Sequence, residues 1–395
     1  MKICDNNLCT GCGACCNICT HECITMIQDS DGFRRPAIND ANCVNCGMCQ
    51  RYCPVNHNNE TKKNPNETPT PYAYINPKTD VIKDSSSGGA FSAFAEYIIS
   101  LGGAVFGAAY DCDFHVEHEC ITSTDSLARL RGSKYVESDL KDSFTQVKSY
   151  LDRCIPVLFT GTPCQIAGLY ASLHYKEYGN LYTMELLCHG VPSTKVFDEY
   201  IAWLQKTKGK ITSYSFRDKS KWGWGNWGSY SYIDHNSGKM KKVLFPVASD
   251  YYYSLYFKEN NFRESCYRCP YANLERAADI TVGDFWGIEK VNPNLPSQNG
   301  VSVITVNTKK GSNLFEMSKC ANNSILVKID DVIRFNPTIT HATVRPESRN
   351  NFYVQFNRLG FEKTSRIYCK LHYVFPIISR YIPRKLKAVI KRVIG

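Results

Sequence analysis

Two runs of four cysteines constrain this chain more than anything else in it. Cys9, Cys12, Cys15 and Cys19 follow the spacing C-x2-C-x2-C-x3-C, and Cys43, Cys46, Cys49 and Cys53 repeat it 34 residues later, with Pro54 closing the second run. A [4Fe-4S] cube takes four thiolates, and a short loop with three closely spaced cysteines supplies three of its corners. Where two such runs occur together, the fourth cysteine of each ligates the other cube. The spacing therefore predicts one cluster on Cys9, Cys12, Cys15 and Cys53, and a second on Cys43, Cys46, Cys49 and Cys19. A segment built this way carries single electrons.

Competing readings explain less. A zinc ribbon uses C-x2-C knuckles but has no use for the third and fourth cysteines of each run. A disulfide framework needs an oxidising compartment. Met1 to Leu8 lacks the apolar stretch of a secretory signal, so the expected location is cytoplasmic, where thiols stay reduced. Cys12, Cys16 and Cys19 also spell the radical-SAM spacing C-x3-C-x2-C, which leaves the second run without a role. The first run departs from the ferredoxin pattern in that Thr20 stands where proline is usual. Its extra thiols, Cys16 and Cys23, are either small core residues or competitors for iron.

At 395 residues the chain has room for about two or three domains, and a hydrophobic content of 43% with 25 tyrosines permits a large ordinary core. The net charge of +10 lies downstream of residue 57, because residues 1–57 hold four Lys/Arg against five Asp/Glu. Six basic residues and no acidic one fall within Ser379–Gly395, interleaved with Tyr381, Ile382, Leu386, Val389 and Ile390. This basic amphipathic tail fits peripheral contact at the inner membrane surface. It fits equally well a helix docked on the domain or a partner. No apolar run is long enough to span a bilayer.

Residues 58–71 are polar and proline-rich and read as a linker. Beyond them, strand-like and helical patterns alternate. Ala90 to Leu101 reads as a helix, Ala104 to Tyr110 and Ile155 to Thr160 as strands, and Thr162-Pro163 as the start of the next helix. A strand over Leu181 to Leu187, a helix from Thr194 to about Lys206, a strand over Val301 to Val306 and a helix to about Lys319 complete the alternation. It predicts an α/β domain with a mixed sheet. Residues beyond about Arg345 read as helical and peripheral.

A second set of cysteines punctuates this region. Cys164 sits at a helix start, where amides and dipole favour a thiolate. Cys188 follows another strand end, and Cys266 and Cys269 form a C-x2-C knuckle. Strand ends are where ligands collect in open α/β sheets, so these four either converge on a third cluster or are separate buried cysteines. Cys112, Cys120, Cys154, Cys320 and Cys369 have no partners at ligand spacing and are expected in the core. Ser85–Gly89 and Arg131-Gly-Ser-Lys-Tyr135 read either as anion-binding nests or as plain turns. The indoles of Trp222, Trp224 and Trp227 read as a ring platform or a hairpin with surface aromatics. Basic and aromatic residues interleave, but no recognisable nucleic-acid motif accompanies them, and no nucleic-acid partner is expected.

In consistent order from about residue 1 to 340, the cysteine-rich head, SSSGGAF (85–91), RGSKYV (131–136), GTPCQ (161–165), CHGVPS (188–193), CYRCPY (266–271) and DITVGDFWG (279–287) resemble the coenzyme F420 hydrogenase/dehydrogenase beta subunit family. The resemblance implies a two-cluster ferredoxin-type domain over 1–57, the linker 58–71, an FAD and [4Fe-4S] domain over 72–345, and a helical basic tail over 346–395. It makes Cys164, Cys188, Cys266 and Cys269 ligands of a third [4Fe-4S] cluster, with Asp279 or Asp284 as a carboxylate that could replace one of them. It makes Ser86, Ser87, Gly88, Gly89, Gly132, Ser133 and Lys134 contacts of FAD, with Lys134 close to the ring system or its phosphates.

The expected function is that of an iron–sulfur flavoprotein oxidoreductase, relaying electrons between ferredoxin-type clusters and a flavin and acting on an F420-like or other small two-electron substrate. Many bacterial relatives lie among surface-polysaccharide genes. The expected partner is a ferredoxin or another redox protein, and His189 is the expected proton donor to a flavin-bound substrate. Two alternatives are an electron-transfer subunit without a substrate of its own, and a zinc-binding nucleic-acid protein.

Overall fold

The computed structural model describes residues 2–57 and 68–369. The head contains an antiparallel hairpin, β1 (Ile24–Gln28) and β2 (Arg34–Ile38), and two one-turn helices, Ala14–Asn17 and Met48–Arg51. Each turn follows a glycine with positive φ, 70° at Gly13 and 75° at Gly47, a conformation that costs side-chain-bearing residues strain. Both glycines lie inside a cysteine run, so each run is a tight loop feeding one helical turn.

The chain continues through β3 (Thr70–Tyr74), β4 (Ala104–Tyr110), β5 (Val116–Ile121), β6 (Val157–Gly161), β7 (Leu181–Leu186), β8 (Gly209–Ser215), β9 (Trp227–Asp234), β10 (Met240–Pro246), β11 (Ile280–Asp284), β12 (Ser302–Val306) and β13 (Ser324–Leu326). Eight of these make a mixed sheet in the order β13-β3-β12-β11-β7-β6-β4-β5, and β10-β9-β8 make a separate antiparallel sheet. The central strands β4, β6, β7 and β11 are parallel, while β5 pairs antiparallel at one edge and β12, β3 and β13 succeed one another antiparallel at the other.

Parallel strands are covered on both faces, which is why β6 is buried along its whole length. Alternation divides β4 between two layers. Val105 packs with Phe94, Ala95 and Ile98 of the helix Ala90–Ser100, and Ala104 and Phe106 pack with Phe144, Val147, Ile166 and Leu169 of the helices on the other face. Parallel direction also brings the segments after β6, β7 and β11 to one edge of the sheet. After β6 the helix Pro163–Ser172 starts with a capping box, Thr162 and Gln165 satisfying each other's backbone N–H groups.

The sequence reading needs four amendments. The final helix, Arg349–Tyr368, is not peripheral: Phe352, Phe356 and Phe361 are buried in the aromatic core that Phe197, Tyr200, Tyr214, Phe216 and Tyr252 form beside β8–β10. Its mixed polar and aromatic sequence hides this, because the face is set by contacts far along the chain. Thr70 and Pro71 belong to β3 rather than to a linker; residues 58–67 lie outside the described residues, as does the basic stretch Ser379–Gly395. Cys112 and Cys154 are exposed, unlike the buried Cys320 and Cys369, because both sit on surface turns. The tryptophans do not form one platform: Trp222 stacks on Trp227 at 5.3 Å, and Trp224 stacks instead on Trp286 at 4.8 Å.

The head is seated on the body through its hairpin turn. Ser193 and Thr194 donate from their hydroxyls to the carbonyls of Asp31 and Gly32 at 2.5 and 2.8 Å, and Phe33 enters the aromatic core. Gly32, at φ 85°, lies so close that a Cβ there would meet that of Lys195 at 2.3 Å.

Candidate functional site

The cysteines of the head surround two cavities. Cys9, Cys12, Cys15 and Cys53 line one, together with Cys4. Cys19, Cys43, Cys46 and Cys49 line the other, together with Cys23. Among the described residues no three His, Cys, Asp or Glu side chains form a group that could hold a single metal ion. In each cavity the cysteines stand around a shared space, and an all-thiol donor set is what a [4Fe-4S] cube takes. Electrostatics differ within the first cavity. Hydrogen bonding from Cys4 brings Cys9 down to about 5, against burial and with help from Arg263, the Gly11 amide and Arg35. Burial drives Cys12 up to about 12. The Cys9 carbonyl accepts from Arg35 Nη1 at 3.1 Å and Ser265 Oγ at 3.2 Å. At Cys19 burial works upward, but backbone amides and the Cys23 thiol outweigh it and leave the group lowered.

Cys164, Cys188, Cys266 and Cys269 line a third cavity at the edge where β6 and β7 end. Each pKa is raised, Cys164 to about 11 and Cys266 to about 12, with burial the largest cause throughout. The helix start does not make Cys164 a ready thiolate, because desolvation of the sulfur outweighs the help of Thr162, whose Oγ1 lies 3.1 Å from Cys164 Sγ. Four desolvated thiols around one cavity ionise together only when cations compensate them. The Val191 amide donates to Cys266 Sγ at 3.3 Å, a bond that strengthens when the sulfur is anionic. The donor set fits an iron–sulfur cube.

A larger cleft of about 280 Å³ adjoins these cavities, close to the lower bound of about 300 Å³ for ordinary ligand pockets. Ser86, Ser87, Gly89, Gly132, Ser133 and Lys134 all line it, as do Cys164, Gln165 and His118. Ser86 Oγ accepts from the Ser133 amide at 2.7 Å and lies 3.0 Å from Ser133 Oγ, which ties the two loops into one wall. Lys134 Nζ donates to the Arg129 and Arg131 carbonyls at 3.0 and 2.8 Å, leaving one of its three donors for a ligand. Desolvation lowers Lys134 to about 7. The polar loops and apolar floor fit a large planar cofactor with an anionic arm.

Some expected residues fall elsewhere. Gly88 is not part of the cleft lining: a Cβ there would lie 2.3 Å from the Tyr74 carbonyl and 2.6 Å from the Ser302 amide, so its role is close packing between β3 and β12. His189 faces the Cys164 cavity rather than the cleft, with Nε2 2.7 Å from Glu259 Oε1. Neither aspartate joins the four thiols. Asp279 accepts from the Thr183 amide and hydroxyl at 3.0 and 2.9 Å, and Asp284 pairs with Arg217 at 2.7 Å and accepts from Trp224 Nε1 at 2.7 Å.

Three features escaped sequence reading. Cys4 stands at the first cavity, five residues before the run and outside its spacing. Arg263 and Glu137, both in the body, form a buried ion pair that abuts the head at Cys9 and Arg34; no local pattern joins residues 126 positions apart. Thr10, beside Cys9, lines the first cavity, the third cavity and the cleft.

A family model for the 4Fe-4S dicluster domain matches residues 8–57, and one for the C-terminal part of the coenzyme F420 hydrogenase/dehydrogenase beta subunit matches residues 155–331. Among solved structures, a chain of the xenon-derivatised F420-reducing [NiFe] hydrogenase complex from Methanosarcina barkeri aligns with a TM-score of 0.45 and 15% identity, over 76% of this chain and 91% of that one. No curated protein matches. Among the described residues no helix is long and apolar enough to cross a membrane. A ferredoxin-type head joined to a mixed α/β body is thus similar, part by part, to the 4Fe-4S dicluster domain and to the C-terminal part of the coenzyme F420 hydrogenase/dehydrogenase beta subunit, a family of iron–sulfur oxidoreductases.

Proposed function

We propose that the protein is an iron–sulfur flavoprotein that exchanges single electrons with a ferredoxin or another redox protein at its head and electron pairs with a small substrate at the cleft. The observation that carries this reading is the position of Thr10, which borders the first thiol cavity, the third thiol cavity and the cleft at once. Cys164 likewise lines both the third cavity and the cleft.

On this reading Cys9, Cys12, Cys15 and Cys53 hold the inner head cluster. Cys19, Cys43, Cys46 and Cys49 hold the outer one, and Cys164, Cys188, Cys266 and Cys269 hold the third. FAD in the cleft supplies the exchange between one- and two-electron chemistry. The Ser86–Ser133 wall and Lys134 bind the anionic arm, and the apolar floor excludes water. The substrate is a small two-electron carrier of the F420 kind or a metabolite of surface-polysaccharide synthesis.

Anaerobic purification with iron, sulfide and flavin counted per chain tests this. About twelve irons with one FAD is the expected result, and about eight irons would remove the third cluster. A colourless protein holding zinc would overturn the reading. Turnover of a substrate by the isolated chain separates an enzyme from an electron-transfer subunit.

A further inference from the structure

Arg263 is 1% exposed, among the largest side chains fully buried in the described residues. Its guanidinium pairs with Glu137, whose side chain is 6% exposed. Nη1 donates to the Arg34 carbonyl at 3.1 Å and reaches the Cys9 carbonyl at 3.5 Å, and the Phe33 ring lies 5.1 Å from the guanidinium carbon. Arg263 lines the third thiol cavity and Glu137 lines the cleft. Gly11, in the loop between Cys9 and Cys12, leaves no gap: a Cβ there would lie 2.6 Å from Arg263 Nη2 and 2.9 Å from Glu137 Oε1.

Such a pair is a poor source of stability, because desolvating two charges offsets most of their attraction. Its placement gives it a different effect. A cube on four thiolates is anionic and gains a further negative charge when reduced, and local charge and burial set its potential. A fixed cation held against the backbone of Cys9, in surroundings that screen little, favours the reduced form.

We propose that Arg263 is a positioning residue that raises the reduction potential of the cluster held by Cys9, Cys12, Cys15 and Cys53, with Glu137 fixing the guanidinium and limiting the rise. The step is the one-electron reduction of [4Fe-4S]2+ to [4Fe-4S]1+, with no bond formed or broken and the electron delivered by the head's redox partner. This rests on the proposed function only for the presence of that first cluster, and needs neither flavin nor third cluster.

The test is a dithionite titration of the full-length protein followed by electron paramagnetic resonance, with iron counted in each sample. Arg263→Gln should lower the equilibrium constant for reduction of one cluster about tenfold, which is about 59 mV for one electron. Glu137→Gln should raise it, and Arg263→Lys should fall between wild type and Arg263→Gln. The outer cluster, ringed by Cys19 and Cys43, should not move. Where Arg263→Gln fails to fold, Glu137→Gln and Arg263→Lys still decide the matter. Full iron with unmoved potentials in these variants overturns the inference, as does loss of iron in all of them with no shift in what remains. Eight irons with shifted potentials would support it while removing the third cluster; twelve irons with unmoved potentials would do the reverse.

Discussion

Gly168 lies directly against Cys12. A Cβ at Gly168 would stand 2.8 Å from the Cys12 carbonyl oxygen and 3.2 Å from its Sγ. The same helix, Pro163–Ser172, carries Cys164 one turn earlier, so a single glycine sets how near the inner head cavity sits to the third cavity.

Gly168→Val should therefore push the head loop away from that helix. Overpacking of this kind costs about 1–3 kcal/mol, and the expected result is a lower melting temperature with loss of about four irons from the inner head site. Thermal unfolding and iron analysis on the full chain measure both. Unchanged melting with full iron would show that the contact sets nothing.

Cys4 and Cys53 should behave differently although both face the first cavity. A cube has four corners, and Cys9, Cys12, Cys15 and Cys53 supply four thiols. Cys4 donates to Cys9 and Cys53, lowering both, while its own pKa is pushed far up. Cys4→Ser is expected to keep the full iron count, and Cys53→Ser to lose about four irons. Equal losses in the two variants would make Cys4 a ligand.

His118 predicts how stability follows pH. It is 6% exposed, with Nε2 2.9 Å from the Thr160 carbonyl and Nδ1 2.6 Å from Ser138 Oγ, and burial lowers its pKa from 6.5 to about 4. Since the folded value lies below the unfolded one, the unfolded chain binds the extra proton between these values, and stability falls as pH drops through that window. From pH 7.5 to pH 5 the loss from this group is about 2 kcal/mol. Denaturant unfolding at the two pH values should show that loss in wild type and a smaller one in His118→Gln. Parallel losses would refute it.

What the sequence disclosed follows from distance along the chain. The two cysteine runs were legible because each places three cysteines within a loop of seven residues. The α/β body was legible because buried parallel strands such as Val157–Gly161 and capped helices such as Pro163–Ser172 announce themselves locally. The packing of Gly88 against β3 and β12 was not legible, because a glycine in a serine–glycine run looks the same whether it faces a ligand or a neighbouring strand. Arg263 with Glu137, Gly168 with Cys12, and the buried face of the last helix depend on contacts between distant segments. None leaves a periodic trace.

The hairpin turn at Asp31–Phe33 has a consequence for how fast electrons cross. A carrier on a tether must swing, dock and leave, and its rate then follows solvent viscosity and salt. Here the turn is pinned by Ser193 and Thr194, wedged at Gly32 and rooted by Phe33. On the proposed reading, a head held this firmly passes its electrons without a swing, so the transfer rate should be independent of solvent viscosity.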